Sequence, residues 1–383
     1  MRDSYLVFGQ PRIEQAEIDE VVASLRSAWL GTGPKAAEFE RRVAAYKGVP
    51  HAVGLNSCTA GLHLACVVLG LEPGDEIITT PMTFCATVNA IVHAGATPVL
   101  ADVDPVTMNL DPAAVRAAIT PRTRAILPVH FAGRPCAMDE LMAIASQHDL
   151  KVIEDCAHAI ETEYRGQQAG TIGDLGVLSF YSTKNIVTGE GGMVLTRDAA
   201  LARRTKTMGL HGMSHDAWKR FSDDGYRHYD VEEIGFKYNM MDLQAAIGMH
   251  QIERVEAYWQ RRLQVWNRYL DAFADLPVTL PAPFRDDERH ALHLFTLLVD
   301  ERQAGISRDR MLVALHEQNI GTGVHYRSIP DLQVYRERFG WRADDWPHAR
   351  SIGDRTLSLP LSARLSDADV DDVVAAVRNA LRA

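Results

Sequence analysis

From Pro50 to about Thr196, short β-rich apolar runs alternate with stretches whose apolar residues recur at helical spacing. Ala52-Val53-Gly54-Leu55 leads into a helix starting near Ser57, and Glu76-Ile77-Ile78-Thr79-Thr80 precedes a helix through Thr87 to Val92. Thr97 to Val103, Ala125 to Val129 and Lys151 to Asp155 continue the strands, with helices between them. The rhythm then changes. Leu175 to Phe180 and Gly192 to Thr196 are separated by a short loop and read as neighbouring strands. Alternation of this kind implies an α/β fold with a mostly parallel sheet flanked by helices, which places ligands at the carboxyl ends of its strands.

A helical stretch from about Met241 through Leu276 follows and reads as the link to a second domain. Beyond Pro281 the pattern is strand (His293 to Val299), helix (Asp309 to Gln318), strand (Gly323 to Tyr326) and a C-terminal helix ending at Ala383. The N-terminal helix, about Glu14 to Ser27, is expected to pack on this smaller domain. The expectation is a large domain over residues 1–260 and a small one over residues 261–383, since 383 residues exceed what one core holds.

Composition narrows the class. A formal charge of −10 argues against a nucleic-acid binder, which needs clustered Lys and Arg to neutralise phosphates. Cys58, Cys66, Cys85, Cys136 and Cys156 are odd in number, lack CxxC spacing and lie in apolar runs. They read as reduced thiols in the cytoplasm, not as disulfides or a zinc site. The fifteen histidines show no metal-ligand spacing, so no metal is expected. Met-Arg-Asp-Ser-Tyr does not begin a signal peptide, and no apolar run approaches membrane-spanning length. The expectation is a cytoplasmic protein with neither a nucleic acid nor a membrane as partner.

Candidate chemistry gathers at strand ends. Lys184 lies in the loop Tyr181-Ser182-Thr183-Lys184-Asn185, just past Ser179 and before Gly189-Glu190-Gly191-Gly192. A desolvated lysine is a good nucleophile toward an aldehyde, but alone this one reads as a surface lysine. Asp155, in Glu154-Asp155-Cys156-Ala157-His158-Ala159, ends a strand among apolar neighbours, where a carboxylate needs a cationic partner or a helix to cap. His158 reads either as a contact to a bound group or as a core histidine. Ser57, Cys58 and Thr59 form a small polar turn before a helix, which is either a phosphate seat or a plain cap.

Together, and in this order, these motifs resemble the DegT/DnrJ/EryC1/StrS family of pyridoxal-phosphate (PLP) sugar aminotransferases. The likeness runs from Trp29-Leu30-Gly31-Thr32-Gly33-Pro34 through Asn56-Ser57-Cys58-Thr59-Ala60 and Pro128-Val129-His130-Phe131-Ala132-Gly133. It continues through the Asp155 and Lys184 segments to Gly235-Phe236-Lys237-Tyr238-Asn239, Gly323-Val324-His325-Tyr326 and Ser358-Leu359-Pro360-Leu361. The resemblance implies the PLP-transferase fold type I: a large domain with a mostly parallel seven-stranded sheet, plus a smaller α+β C-terminal domain.

It also implies roles. Lys184 would carry PLP as a Schiff base and shuttle the proton, and Asp155 would keep the pyridine nitrogen protonated. Phe84 would stack on the ring, His158 would lie beside it, and Ser57, Cys58, Thr59 and Ser179 would hold the phosphate. The family's sites lie at a homodimer interface, with the Lys237-Tyr238-Asn239 segment reaching into the partner's site. Many members read Asn-Tyr-Arg there, so which of Lys237 and Asn239 meets the phosphate stays open. Thr32, His325, Tyr326, Arg220 and Arg227 are candidate substrate contacts, the two arginines on a variable lid spanning Ser214 to Asp230.

The implied reaction moves an amino group from L-glutamate, through pyridoxamine phosphate, to a nucleotide-linked keto-sugar, most often at C4. The Lys-Tyr-Asn segment, with Ile320-Gly321-Thr322-Gly323, looks most like enzymes acting on UDP-4-keto-pentose. A dehydratase on this fold would carry histidine in place of Lys184, and a non-catalytic regulatory relative would be expected to lose Lys184 or Asp155. A keto-cyclitol acceptor is the remaining alternative.

Overall fold

The computed structural model describes residues 2–213 and 229–382. Its strands are β1 (His51–Leu55), β2 (Glu76–Thr79), β3 (Thr97–Leu100), β4 (Thr123–Leu127), β5 (Lys151–Cys156), β6 (Glu163–Tyr164), β7 (Gln167–Gln168), β8 (Leu175–Ser179), β9 (Gly192–Thr196), β10 (Glu288–Arg289), β11 (Phe295–Leu298) and β12 (Thr356–Leu359). Seven of them form one sheet in the order β1-β9-β8-β5-β4-β2-β3. Only β9 runs against the rest; the other pairings are parallel. β2 and β9 are buried at every residue, as strands covered on both faces must be. The short β8–β9 connection appears as expected, with Ser179 opposite Gly192.

The C-terminal part builds its own core on the antiparallel pair β11–β12. Trp266, Tyr269 and Phe273 from the helix Val255–Phe273 pack there with Phe295, Leu357 and the helices Arg308–Glu317 and Asp367–Ala380. Among the described residues no helix is long and apolar enough to cross a membrane.

Three expectations change. The stretch from Met241 to Leu276 is two helices, Asp242–Glu253 and Val255–Phe273, broken at Arg254 (φ −105°, ψ 2°). The first is buried nearly all round between Gln15–Ser27 and Pro34–Lys47, whereas the second has one apolar face. The break turns the chain from one core to the other and lets Arg254 pair with Glu14 and Glu17. The N-terminal helix therefore packs on Asp242–Glu253, where Gln251 Nε2 donates to Glu17 at 2.6 Å, and not on the C-terminal part. The residues before it do reach that part: the Leu6 amide donates to Asn319 O at 2.8 Å, and Arg2 pairs with Asp369. Gly323 to Tyr326 is no strand; Gly323 alone bridges Ser358, and the chain then enters the cavity described below.

Candidate active site

Strand ends of the main sheet converge on one cavity of about 610 Å³. β1 runs out into Ser57, which caps the helix Cys58–Val68 by accepting a hydrogen bond from the Ala60 amide at 3.1 Å. The amides of Cys58 and Thr59 are left without a hydrogen-bond partner among the described residues. Free N–H groups at the positive end of a helix form a seat for a phosphate. The Ser179 hydroxyl, at the end of β8, lines the same cavity.

Gly192 lies beneath this turn, and a methyl group on it would stand 2.4 Å from the Ser57 carbonyl carbon and oxygen. Only hydrogen fits there. Gly192→Ala is expected to displace the turn, lowering stability by about 1–3 kcal/mol and weakening cofactor binding. Thermal melts and an equilibrium titration with pyridoxal phosphate check this; an unchanged Kd would show that the phosphate rests elsewhere.

Side chains alternate along β5, so Glu154 and Asp155 face opposite ways. Glu154 turns from the cavity, accepting from the amides of Gly170, Ile172 and Gly173 and pairing with buried His130 at 3.0 Å. Burial alone would raise Glu154, yet His130 and these amides hold it below the usual carboxylate range. Asp155 faces the cavity, accepting from Thr87 Oγ1 at 2.9 Å and from the Ala157 amide at 3.1 Å. Burial raises its carboxyl, so a cation placed against it in the cavity would be held strongly.

His158 is held by the Ala132 amide, which donates to Nδ1 at 3.2 Å, while Nε2 meets the Tyr326 hydroxyl at 3.1 Å. Burial and neighbouring Lys184 push His158 well below its ordinary value, so it is neutral. His325 Nδ1 bonds Ser358 Oγ at 2.9 Å, and burial lowers His325 to about 4. Phe84, just before the helix Cys85–His93, is 57% exposed along the cavity wall and offers its ring face to a flat ligand.

Lys184 reaches the cavity from the loop after β8, its backbone turned by its amide donating a hydrogen bond to Tyr181 O at 2.8 Å. Its Nζ has neither hydrogen bond nor ion pair among the described residues, and burial lowers the amine to about 8 against the pull of Cys58 and Asp155. A lysine is nucleophilic only when neutral. Capture of pyridoxal phosphate by the cofactor-free protein should therefore climb with pH and level off above about 8. Stopped-flow absorbance over a pH series measures this; a rate still climbing toward the ordinary lysine value would show an unperturbed amine.

The structure brings Ser57, Cys58, Thr59, Phe84, Asp155, His158, Ser179, Lys184, His325 and Tyr326 to one cavity. It does not bring Thr32, Lys237 and Asn239 there. They line a second depression of about 800 Å³, where Asn239 Nδ2 donates to Thr32 Oγ1 at 2.5 Å. The 237–239 segment runs along the end of β1, with the Asn56 amide donating to Tyr238 O at 2.6 Å. Arg220 and Arg227, with most of the expected lid, lie outside the described residues. Sequence reasoning overlooked Thr87, which holds Asp155, and Asn185 and His293 beside Lys184. Thr87 carried a signal, as a hydroxyl on a helix face that is otherwise apolar, with Val88, Ala90 and Ile91. His293 opened an expected strand and carried none.

The residues fit pyridoxal phosphate: unbonded amides for its phosphate, an unpaired amine for its aldehyde and a buried carboxylate for its ring nitrogen. Comparison with known proteins agrees. The family model described as "DegT/DnrJ/EryC1/StrS aminotransferase family" matches residues 11–378. The chain is 48% identical over 382 residues to the spore coat polysaccharide biosynthesis protein SpsC of Bacillus subtilis, covering 100% of this chain and 98% of that one. It superposes on the PMP form of the putative sugar aminotransferase Spr1654 from Streptococcus pneumoniae with a TM-score of 0.91, at 32% identity, over 99% of this chain and 98% of that one. The PLP form gives a TM-score of 0.90, at 32% identity, over 99% of each chain. DesI, crystallised in the presence of its TDP-sugar product, gives a TM-score of 0.88 at 34% identity, over 99% of this chain and 94% of that one. The chain thus belongs to the DegT/DnrJ/EryC1/StrS aminotransferase family, as a pyridoxal-phosphate-dependent sugar aminotransferase.

Proposed function

We propose that this aminotransferase moves the amino group of L-glutamate to a nucleotide-linked keto-sugar at C4. The observation that carries the reading is the meeting of the unpaired Lys184 amine, the Asp155 carboxylate and the free Cys58 and Thr59 amides in one cavity. The TDP-sugar product named for DesI supports the nucleotide. The likeness of Lys237-Tyr238-Asn239 and Ile320 to Gly323 to enzymes acting on UDP-4-keto-pentose supports C4.

Pyridoxal phosphate supplies an aldehyde that takes up amines and a ring that accepts electrons when carbon loses a proton. The chain supplies the rest. Cys58 and Thr59 hold the phosphate through their amides, with Ser57 shaping the turn and Ser179 adding a hydroxyl. Asp155, fixed by Thr87, keeps a positive charge at the ring nitrogen. Phe84 covers the ring and keeps water from it. Lys184 would take the α-proton of L-glutamate, which leaves as 2-oxoglutarate once water supplies its ketone oxygen, and would later return a proton to the sugar carbon. The ketone oxygen departs as water.

Two further assignments belong to this reading. The two domains meet near residue 260, inside a helix whose Val255 joins the core of the main sheet and whose Val265 joins that of β11–β12. The protein works as a homodimer in which Lys237, Asn239 and Thr32 serve the partner's cavity; their separation from Lys184 and the exposure of Ile234 (94%) support this. Mixing inactive Lys184→Ala chains with inactive Asn239→Ala chains should then restore activity in the hybrids. Hybrids that stay inactive would place each site within one chain.

Mass spectrometry of a reaction holding pyridoxal phosphate, L-glutamate and UDP- and dTDP-linked 4-keto-sugars tests the whole reading. An amino sugar formed together with 2-oxoglutarate is expected. Conversion of the cofactor by glutamate without amination of any sugar would overturn the acceptor, and no response to glutamate would overturn the donor.

A further inference from the structure

His293 belongs to none of the roles above, yet this buried residue, 7% exposed, lines the cavity. It precedes β11, in a segment anchored by the His293 amide donating to Ala132 O at 3.0 Å. Its Nδ1 lies 2.9 Å from Asn185 Oδ1. The polarity of that bond is decided by the other bonds of Asn185. Asn185 Nδ2 donates to Glu161 Oε2 at 2.7 Å and to Ala291 O at 2.9 Å, which uses both amide hydrogens. Asn185 Oδ1 is thereby an acceptor, so His293 Nδ1 carries the hydrogen.

Glu161 is itself fixed, paired with buried Arg262 from the helix Val255–Phe273. The chain of bonds from Arg262 through Glu161 and Asn185 to His293 thus runs in one direction. Burial, with Lys184, His325 and Arg262 nearby, pushes His293 well below its ordinary value, so the ring is neutral. In a neutral imidazole with hydrogen on Nδ1, Nε2 is a bare acceptor. The bond through Nδ1 is the one hydrogen bond of this ring among the described residues, and the residue lines the cavity, which leaves Nε2 for a ligand.

His158 packs against this ring, with centroids 4.3 Å apart and planes tilted by 33°, and carries the opposite tautomer. Its Nδ1 accepts from the Ala132 amide, so Nε2–H donates to Tyr326, leaving the Tyr326 hydroxyl hydrogen free to donate. An acceptor and a donor therefore flank one imidazole in the cavity. A ketone beside a hydroxyl presents the matching pair, which an amino-acid carboxylate does not.

We propose that His293 is a substrate-binding residue of this site, its Nε2 lone pair accepting a hydrogen bond from a hydroxyl of the keto-sugar. This rests on the keto-sugar reading above. The residue sets specificity: it rewards a hydroxylated acceptor and leaves an unmet lone pair against a deoxygenated one.

The test compares wild type, His293→Asn and His293→Gln holoenzymes with L-glutamate and the UDP- and dTDP-linked 4-keto-sugars. Asparagine reproduces the donor to Asn185 but offers nothing at the Nε2 position, whereas the longer glutamine places a carbonyl there. Expected for His293→Asn is an unchanged absorbance spectrum of the lysine-bound cofactor and a sugar KM raised about tenfold or more. His293→Gln should keep the sugar KM within about threefold of wild type. Equal sugar KM in wild type and His293→Asn overturns the proposal, as does a rise in the KM for L-glutamate instead. A spectrum altered in His293→Asn also overturns it, by making His293 a support for the Lys184 loop. Wild type that aminates none of the sugars overturns the keto-sugar reading and this inference with it.

Discussion

Lys184→Ala should abolish transamination, with turnover falling by more than about 10⁴-fold, because in the proposed mechanism one amine serves as both nucleophile and proton carrier. The loss should not come from unfolding. Lys184 Nζ makes no hydrogen bond or ion pair among the described residues, so its removal orphans no partner. The sign of the stability change makes a second readout. Burial lowers the folded-state amine to about 8 from an ordinary value of 10.5. Below the lower value both folded and unfolded chains carry the proton, and the folded state bears the whole cost of a buried charge. Between the two values the folded chain loses its proton first, and the cost fades. Cofactor-free Lys184→Ala should therefore melt above cofactor-free wild type near neutral pH, with the gap closing as pH rises through that window. Turnover within about tenfold of wild type would remove Lys184 from the chemistry. A variant melting well below wild type at neutral pH would make the lysine structural.

The second large effect belongs to Asp155. Asp155→Asn preserves shape but loses the charge that, in the proposed mechanism, faces the cationic ring nitrogen in the cavity. It also sets an amide against Thr87 Oγ1, which now donates at 2.9 Å. A loss in kcat of about 10²–10³-fold is expected, the scale of removing one electrostatic stabiliser from an enclosed site. Pyridoxal phosphate should bind more weakly as well. Burial raises the Asp155 carboxyl, so the ionised form costs the cofactor-free fold stability at neutral pH. The asparagine variant relieves that cost and should be the more stable protein without cofactor and the less stabilised one with it. Steady-state kinetics and paired melts read both effects. A kcat within about threefold of wild type would show that no charge is needed at this position.

Most of the sheet could be read from local patterns. Apolar runs at β1, β2, β3, β4 and β5 alternate with helical spacing, and the short β8–β9 link showed where the alternation stops. The two-residue strands β6, β7 and β10 escaped notice because two residues carry no periodicity. The break at Arg254 escaped for another reason. Apolar residues continue through it at helical spacing, and the direction change comes from two separate cores and from Glu14 and Glu17, which lie far away in sequence.

The site divides in the same way. Asp155, the Ser57 turn and the loop of Lys184 drew attention because each lies at or just past the end of a strand, where a parallel sheet exposes its ligand-binding edge. Only their order along the chain, as a family resemblance, gave them roles. Period-two alternation even separates Asp155 from Glu154. What sequence determined by itself, then, is the order of elements, the edge of the sheet where the candidate site lies, and the residue types proposed for the reaction. The tertiary structure alone decided which groups share a cavity, and it set Thr32, Lys237 and Asn239 apart from Lys184. It also decided the polarity of each buried ring, since a histidine's tautomer follows from its neighbours' bonds: His158 is fixed by Ala132 and His293 by Asn185. Periodicity is written in neighbouring residues, whereas hydrogen-bond direction and burial depend on partners that only folding brings together.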